Sequence, residues 1–132
     1  MSGRAAVALD MVLVFLGGGL GSVFRWALAR LSLAVTGTEF PWATLAVNIF
    51  GCLAVGFVVG AIDSGLMPAR ARPLLVAGFI GGMTTFSTYA DGIFEFGRRG
   101  HFAAALVQVG LENVMGIGLV IAGYRLAAIM RG

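Results

Sequence analysis

Four long apolar segments, separated by short polar connectors, constrain this chain more than any other feature of its sequence. They cover approximately residues 6–33, 42–62, 74–96 and 102–129. Each is long enough for a membrane-spanning helix, which needs about 20 predominantly apolar residues. Only 11% of the residues are charged, against about 25% in a typical soluble domain. The pattern predicts one all-α integral membrane domain over residues 1–132, with no room for a soluble catalytic domain.

Enzyme signatures are absent from the sequence as well. There is no GxSxG motif, no P-loop and no pair of histidines that could bind a metal. Cys52 is the only cysteine and His101 the only histidine. An intrachain disulfide and a thiolate metal cluster are therefore excluded. We expect a protein that is not an enzyme.

The positive charges are spread along the chain rather than gathered on one face. Four helices put both termini on one side of the membrane, together with Arg4, Arg70, Arg72, Arg125 and Arg131. The other side of the membrane contains Arg25, Arg30, Arg98 and Arg99. A bias in basic residues sets membrane orientation, and five against four is almost no bias. Either a misplaced boundary hides a modest bias, or the chain inserts both ways and pairs antiparallel. Nucleic-acid binding, which would use a clustered basic face, is not expected.

The third apolar segment contains a stretch, GGMTTFST at residues 81–88, that suits a membrane helix poorly. Its two glycines each lower helix stability by about 1 kcal/mol relative to alanine. Non-helical backbone at membrane depth is tolerated only where it is buried in protein or lines a cavity. The stretch therefore predicts a helix broken in mid-membrane, whose free carbonyls can bind a cation and whose free N–H groups can face an anion.

Polar residues in the other segments are candidates for function because they are costly to bury in hydrocarbon. Asn48, with Thr44 one turn before it, either bonds a neighbouring helix or presents its amide N–H groups to an anion. Gln108 and Glu112 share one face of the fourth segment. Arg25 in the first segment either extends to the membrane interface or attracts anions at a vestibule.

Two aromatic residues follow the glycines of the third segment. Phe86 and Tyr89 are three residues apart, so their rings share one face of a helix. An aromatic ring has a positive edge, which can contact an anion without a full positive charge. The pair therefore forms either ordinary core packing or part of a dry anion pathway.

Four sequence groups together resemble the Fluc (CrcB) family of fluoride channels: GGGLGSVFRW, PWATLAVNIFGC, GFIGGMTTFSTY and the connector RRG. The resemblance covers essentially the whole chain. It implies four membrane helices with the third broken, and an antiparallel, dual-topology dimer of two identical copies in the lipid bilayer of the bacterial inner membrane. It also implies a passive channel with two fluoride-selective pores that exports cytoplasmic fluoride.

The resemblance also implies roles for individual residues. The positions that match the fluoride pathway or adjoin it are Asn48, Phe86, Tyr89, Thr44 and Ser87. Gln108 and Glu112 fall on the polar track of the fourth helix, and Arg25 matches an arginine near the vestibule. A structural sodium ion at the dimer centre is expected on backbone carbonyls, which by motif position belong to Gly81 and Thr84.

The chain departs from the family pattern at four positions. Tyr89 stands where phenylalanine is usual, and Gly92 where a glutamate is usual. Gln108 stands where we expect a tyrosine, and Glu112 where we expect a serine. An ionised carboxylate about 5 Å from a transported anion repels it by about 3 kcal/mol at an effective dielectric constant near 20. We therefore predict that Glu112 replaces the missing glutamate and is either protonated or paired.

Three functions are compatible with these residues. The first is a homodimeric fluoride channel. The second is a proton-coupled exporter of small cations that uses Glu112 as its shared proton and substrate site. The third is an altered family member that conducts only together with a second, different subunit.

Overall fold

The computed structural model describes residues 3–37 and 42–132, and the regular structure in these two ranges is entirely helical. The helices in chain order are α1 (Gly3–Thr36), α2 (Trp42–Asp63), α3 (residues 73–83), α4 (Phe86–Arg98) and α5 (Phe102–Ile129). α3 consists of a π-helical part, Pro73–Ile80, followed by Gly81–Met83. α5 contains a π-helical stretch at Leu111–Met115.

Three of these helices, α1, α2 and α5, are long and apolar enough to cross a membrane. In their most apolar 18-residue windows, only 11%, 33% and 17% of the residues are buried inside the chain. Large exposed apolar surfaces mark contact with lipid or with another protein. The chain is therefore a multi-pass membrane protein, and most of its apolar surface is left for the bilayer or for a partner.

The third apolar segment, predicted over residues 74–96, is divided between α3 and α4. Thr84 and Thr85 separate the two helices, and their backbone is extended, with φ/ψ of −79°/156° and −153°/117°. The interruption falls within GGMTTFST, immediately after the helical residues Gly81–Met83. Neither helix alone has the roughly 20 residues that a span requires.

Close backbone contacts at glycines hold the helices together. Gly17 and Gly21 of α1 are buried, and a Cβ atom built at Gly21 would overlap the backbone of Phe79 on α3. A Cβ atom at Gly56 of α2 would overlap the backbone of Val120 on α5. Small residues allow membrane helices to approach this closely. Glycines of the first two helices thus form packing surfaces.

α2 occupies the central place in the arrangement because it contacts every other helix. α1 packs mainly on α3, while α4 packs on the beginning of α5 after a turn at Gly100, whose φ of 77° favours glycine. An inward side chain on α2 can therefore reach both the break between α3 and α4 and the face of α5. Asn48 lies at this position.

The glycine contact between α2 and α5 can be tested with one added methyl group. Gly123→Ala should destabilise the protein, because a Cβ atom there would overlap the backbone of Leu53 on α2. Such overpacking costs about 1–3 kcal/mol. Gly118→Ala on the same helix is the matched control, since a Cβ atom there meets nothing within 4 Å.

Melting temperatures in detergent, followed by size-exclusion chromatography after heating, provide the measurement. We expect a lower melting temperature for Gly123→Ala and no decrease for Gly118→Ala. Equal melting temperatures for the two variants would show that α2 and α5 can separate to accept the methyl group.

Candidate functional site at the helix break

The extended backbone between α3 and α4 is bonded at Thr85 by the side chain of Asn48 on α2. Asn48 Oδ1 accepts a hydrogen bond from the Thr85 backbone N–H at 2.9 Å, and Asn48 Nδ2 donates to the Thr85 carbonyl at 3.2 Å. In a continuous helix the Thr85 N–H would bond the carbonyl of Gly81, four residues earlier. The Asn48 amide thus replaces the helical partner of the Thr85 N–H and adds a donor to the Thr85 carbonyl, which also accepts the first hydrogen bond of α4.

Thr85 also caps the N-terminus of α4. Its Oγ1 accepts a hydrogen bond from the Thr88 backbone N–H at 3.2 Å and lies 3.2 Å from the hydroxyl of Ser87. A threonine in this position satisfies one of the N–H groups that a helix start leaves open. Because the cap takes the Thr88 N–H, that group does not bond the carbonyl of Thr84.

The break leaves four carbonyls, those of residues 81–84, without their helical donors, because the last backbone bond of α3 runs from the Thr84 N–H to the Ile80 carbonyl. The N–H groups that a continuous helix would direct to Gly81 and Thr84, those of Thr85 and Thr88, bond Asn48 and the Thr85 hydroxyl instead. Hard cations such as sodium prefer oxygen ligands, and carbonyls released by a broken membrane helix can supply them. The two carbonyls that the sequence suggested for sodium are among these four, which fits an oxygen-ligated cation.

α1 contacts the break from another side. Ser22 Oγ donates to the Gly82 carbonyl at 3.3 Å, and the half-buried Arg25 donates from Nε to the same oxygen at 3.4 Å. The sequence suggested a vestibule residue at Arg25 and offered no sign of a link to Gly82. In the structure the guanidinium group supports the backbone of the break, a contact that depends on how α1 packs on α3.

A cavity of about 380 Å³ lies beside the break. Its lining residues are Asn48, Gly51, Cys52, Val55, Val76, Ile80, Gly81, Thr84, Thr85, Phe86, Tyr89, Glu112 and Asn113. Six of the ten site residues suggested by the sequence are in this lining, and Thr44, Ser87, Gln108 and Arg25 are not. Thr44 is buried on α2, and Ser87 is exposed in the first turn of α4.

The two aromatic residues after the break differ strongly in exposure. Phe86 is 79% exposed, whereas Tyr89 is 8% exposed. Their ring centroids are 5.6 Å apart, and the ring planes are tilted by 50°. The Tyr89 hydroxyl accepts a hydrogen bond from Asn113 Nδ2 at 2.8 Å. Sequence reasoning missed this role of Asn113, because nothing in the spacing of residues 89 and 113 shows that α4 and α5 meet there.

The carboxylate of Glu112 lies between two amide groups. Its Oε2 accepts from Asn48 Nδ2 at 2.7 Å, and its Oε1 accepts from Gln108 Nε2 at 3.3 Å. Gln108 is completely buried, and its Oε1 has no hydrogen-bond partner within the described ranges. Glu112 belongs to the π-helical stretch of α5, a local irregularity that is frequent at functional sites. The two amides are the partners of Glu112 in this structure.

The sequence model of the family described as CrcB-like protein, Camphor Resistance (CrcB), matches residues 12–124. This chain belongs to that family. The match includes every residue that forms the break and its cavity, from Ser22 to Asn113. The resemblance that the four sequence groups indicated is confirmed.

Individual CrcB-like relatives match nearly the whole chain. A protein named Fluoride-specific ion channel FluC from Rhizobium johnstonii (strain DSM 114642 / LMG 32736 / 3841) is 35% identical over 124 residues, which are 93% of this chain and 97% of the relative. A protein with the same name from Leptospira interrogans serogroup Icterohaemorrhagiae serovar copenhageni (strain Fiocruz L1-130) is 37% identical over 115 residues, or 86% and 91% of the two chains.

Proposed function

We propose that this CrcB-like chain forms a passive fluoride-selective ion channel, not an enzyme, through which cytoplasmic fluoride leaves the cell across the bacterial inner membrane. Its relatives are named as fluoride-specific ion channels. The observation that carries the proposal is the cavity beside the helix break, which is lined by Asn48, Phe86 and Tyr89.

An amide donor and aromatic ring edges can guide a small anion without a full positive charge. Conduction needs such moderate binding, because an ion that enters a site must also leave it. The tilted pair of Phe86 and Tyr89 offers two neighbouring ring edges, and Phe86 is exposed in the single chain. Fluoride on this path would pass from one donor to the next, with no change in covalent bonding.

We propose further that α3 and α4 together form one broken span, so that the chain crosses the membrane four times. Two copies would then pair in antiparallel orientation and provide two pores. The near balance of arginines between the two sides supports insertion both ways. The exposure of Gly81 and Phe86 beside the break supports a partner subunit on this face.

A sodium ion at the centre of this dimer is also a proposal. The carbonyls of Gly81 and Thr84 would hold it, and their loss of helical donors supports this assignment. The ion would supply a fixed positive charge and bind the two breaks together. Gly81 is exposed in the single chain, as a ligand shared between subunits requires.

A specific observation also favours a second candidate, the family member that conducts only with a different subunit. The Glu112 carboxylate bonds the Asn48 amide that would contact fluoride. A pore blocked in this way would be tolerated if a second subunit supplied a working one. The proton-coupled cation exporter remains the third candidate, with Glu112 as its proton-binding group.

Fluoride efflux from liposomes that contain the purified protein tests the channel directly. We expect rapid fluoride release by the unmodified protein and a strong decrease, about tenfold or more, for Phe86→Leu, which loses the ring edge. Phe94→Leu on the same helix is the matched control, because Phe94 is also exposed, at 66%, and does not line the cavity.

Each alternative has its own outcome in this assay. Fluoride flux that appears only after a second subunit is added supports the partner-dependent channel. Proton-driven uptake of an organic cation supports the exporter. Full flux through Phe86→Leu, with the dimer intact by size-exclusion chromatography, would remove Phe86 from the pathway.

Membrane orientation gives a second test. A protease-cleavable tag placed after Gly132 should be accessible from either side of the membrane in about half of the molecules, because the arginines provide little bias. Cleavage is compared in right-side-out and inverted vesicles, with a single-orientation membrane protein as the control. A tag that is cleaved from one side only would contradict dual topology.

The sodium proposal predicts stabilisation by that ion. A ligand that binds only the folded state at about 100 times its dissociation constant stabilises it by about 2.7 kcal/mol. The melting temperature of the dimer should therefore be several degrees higher in sodium chloride than in choline chloride of equal ionic strength. Identical melting curves in the two salts would argue against a sodium site.

A further inference from the structure

The amide of Asn48 has no hydrogen left for a free anion. A side-chain amide carries two N–H hydrogens. Those of Asn48 bond the Thr85 carbonyl at 3.2 Å and Glu112 Oε2 at 2.7 Å. The first bond holds the helix break, so only the second can be exchanged for fluoride without disturbing the backbone.

Gln108 supplies a second amide donor to the same carboxylate, through Nε2 to Oε1 at 3.3 Å. A carboxylate and a fluoride ion are both negatively charged acceptors of hydrogen bonds. The carboxylate of Glu112 therefore takes the place that a small transported anion would take between these two amides. It is joined to α5 through its own side chain and cannot diffuse away.

We propose that Glu112 is a tethered competitor of fluoride at the site formed by the Asn48 and Gln108 amides. The inference rests on the proposed channel function and extends it. Fluoride binds there when the carboxylate swings aside or when a proton neutralises it. The chain thereby limits its own fluoride conductance, and acid relieves the limit.

The buried oxygen of Gln108 fits the protonated state. Gln108 Oε1 has no partner within the described ranges while Nε2 bonds the carboxylate. If Glu112 is protonated, it becomes an O–H donor, and a half-turn of the Gln108 amide would bring Oε1 to accept that hydrogen. Asn48 Nδ2 then faces a neutral group, with which fluoride can compete. Gln108 can thus satisfy both protonation states of Glu112.

Few other ionisable groups surround this carboxylate. Those in the cavity lining are Cys52 from α2 and Tyr89 from α4, and the lining residues of α3 are not ionisable. The thiol and the phenol ordinarily lose their protons well above pH 7. Arg25 of α1 is directed to the Gly82 carbonyl at the break. Glu112 is therefore the one carboxyl among the residues that line the cavity.

The test is fluoride efflux from liposomes at about pH 7.5 and about pH 5, for the unmodified protein, Glu112→Ala and Glu112→Gln. Efflux from protein-free liposomes at the same pH is subtracted, because part of the fluoride leaves as neutral hydrogen fluoride in acid. We expect flux of the unmodified protein to rise on acidification. Both variants should already be faster at the higher pH, about tenfold or more, since a hydrogen bond to a charged competitor is lost. Their flux should change little with pH.

Asp91→Asn is the matched control, because Asp91 is an exposed acid on α4 outside the cavity lining. It should keep both the flux and the pH response of the unmodified protein. Glu112→Gln preserves the size of the side chain, so it keeps the test decisive if Glu112→Ala does not fold. Size-exclusion chromatography confirms that each variant is folded.

Two results would overturn the inference in different ways. If the unmodified protein conducts and folded Glu112→Gln conducts equally or less, with the same pH response, Glu112 does not compete with fluoride. If neither the unmodified protein nor any variant passes fluoride, the channel function itself is rejected, and the inference with it.

Discussion

The structure depends on the pair of hydrogen bonds between the Asn48 amide and the backbone of Thr85. A backbone N–H or carbonyl left unsatisfied away from water costs about 1–3 kcal/mol. Asn48 satisfies the Thr85 N–H, which has no helical partner, and adds a donor to the Thr85 carbonyl where α3 ends and α4 begins. This allows non-helical backbone within an apolar chain. Thr85, which these bonds hold, also caps α4 through its hydroxyl.

Asn48 can act in this way only because α2 lies close to the break. Gly51, one turn after Asn48, is buried, and a Cβ atom there would overlap the side chain of Thr84. The same inner face of α2 then meets α5, where Glu112 bonds the other amide hydrogen of Asn48. One side chain therefore links the backbone of the break to the charge inside the cavity. A change in the backbone of the break therefore affects the Glu112 carboxylate, and a change in the carboxylate affects the break.

Much of this arrangement could be predicted from the sequence, because the relevant signals are local. Apolar segments of sufficient length indicated the helices, and the stretch GGMTTFST indicated the region of the interruption, although Gly81 and Gly82 themselves are helical and the break falls at Thr84 and Thr85. Family resemblance selected Asn48 and Phe86, which both line the cavity.

The contacts between helices could not be predicted in this way. Arg25 bonds the Gly82 carbonyl, and Asn113 bonds the Tyr89 hydroxyl, because of the rotation and depth at which whole helices pack. No pattern in the sequence encodes these two quantities. Glu112 was recognised as unusual, since an acid in a membrane helix is costly. Its amide partners became known only from the packing of α2 against α5.

The glycine contacts distinguish the positions where helices meet from the positions on the outer surface of this small protein. Where α1 meets α3 and α2 meets α5, backbone lies against backbone, as at Gly21 and Gly56. The spacing within these two helix pairs is therefore set by the main chain and not by the size of the side chains on the outer surface. Substitutions among the exposed apolar side chains would change the surface that the protein offers to lipid without changing that spacing.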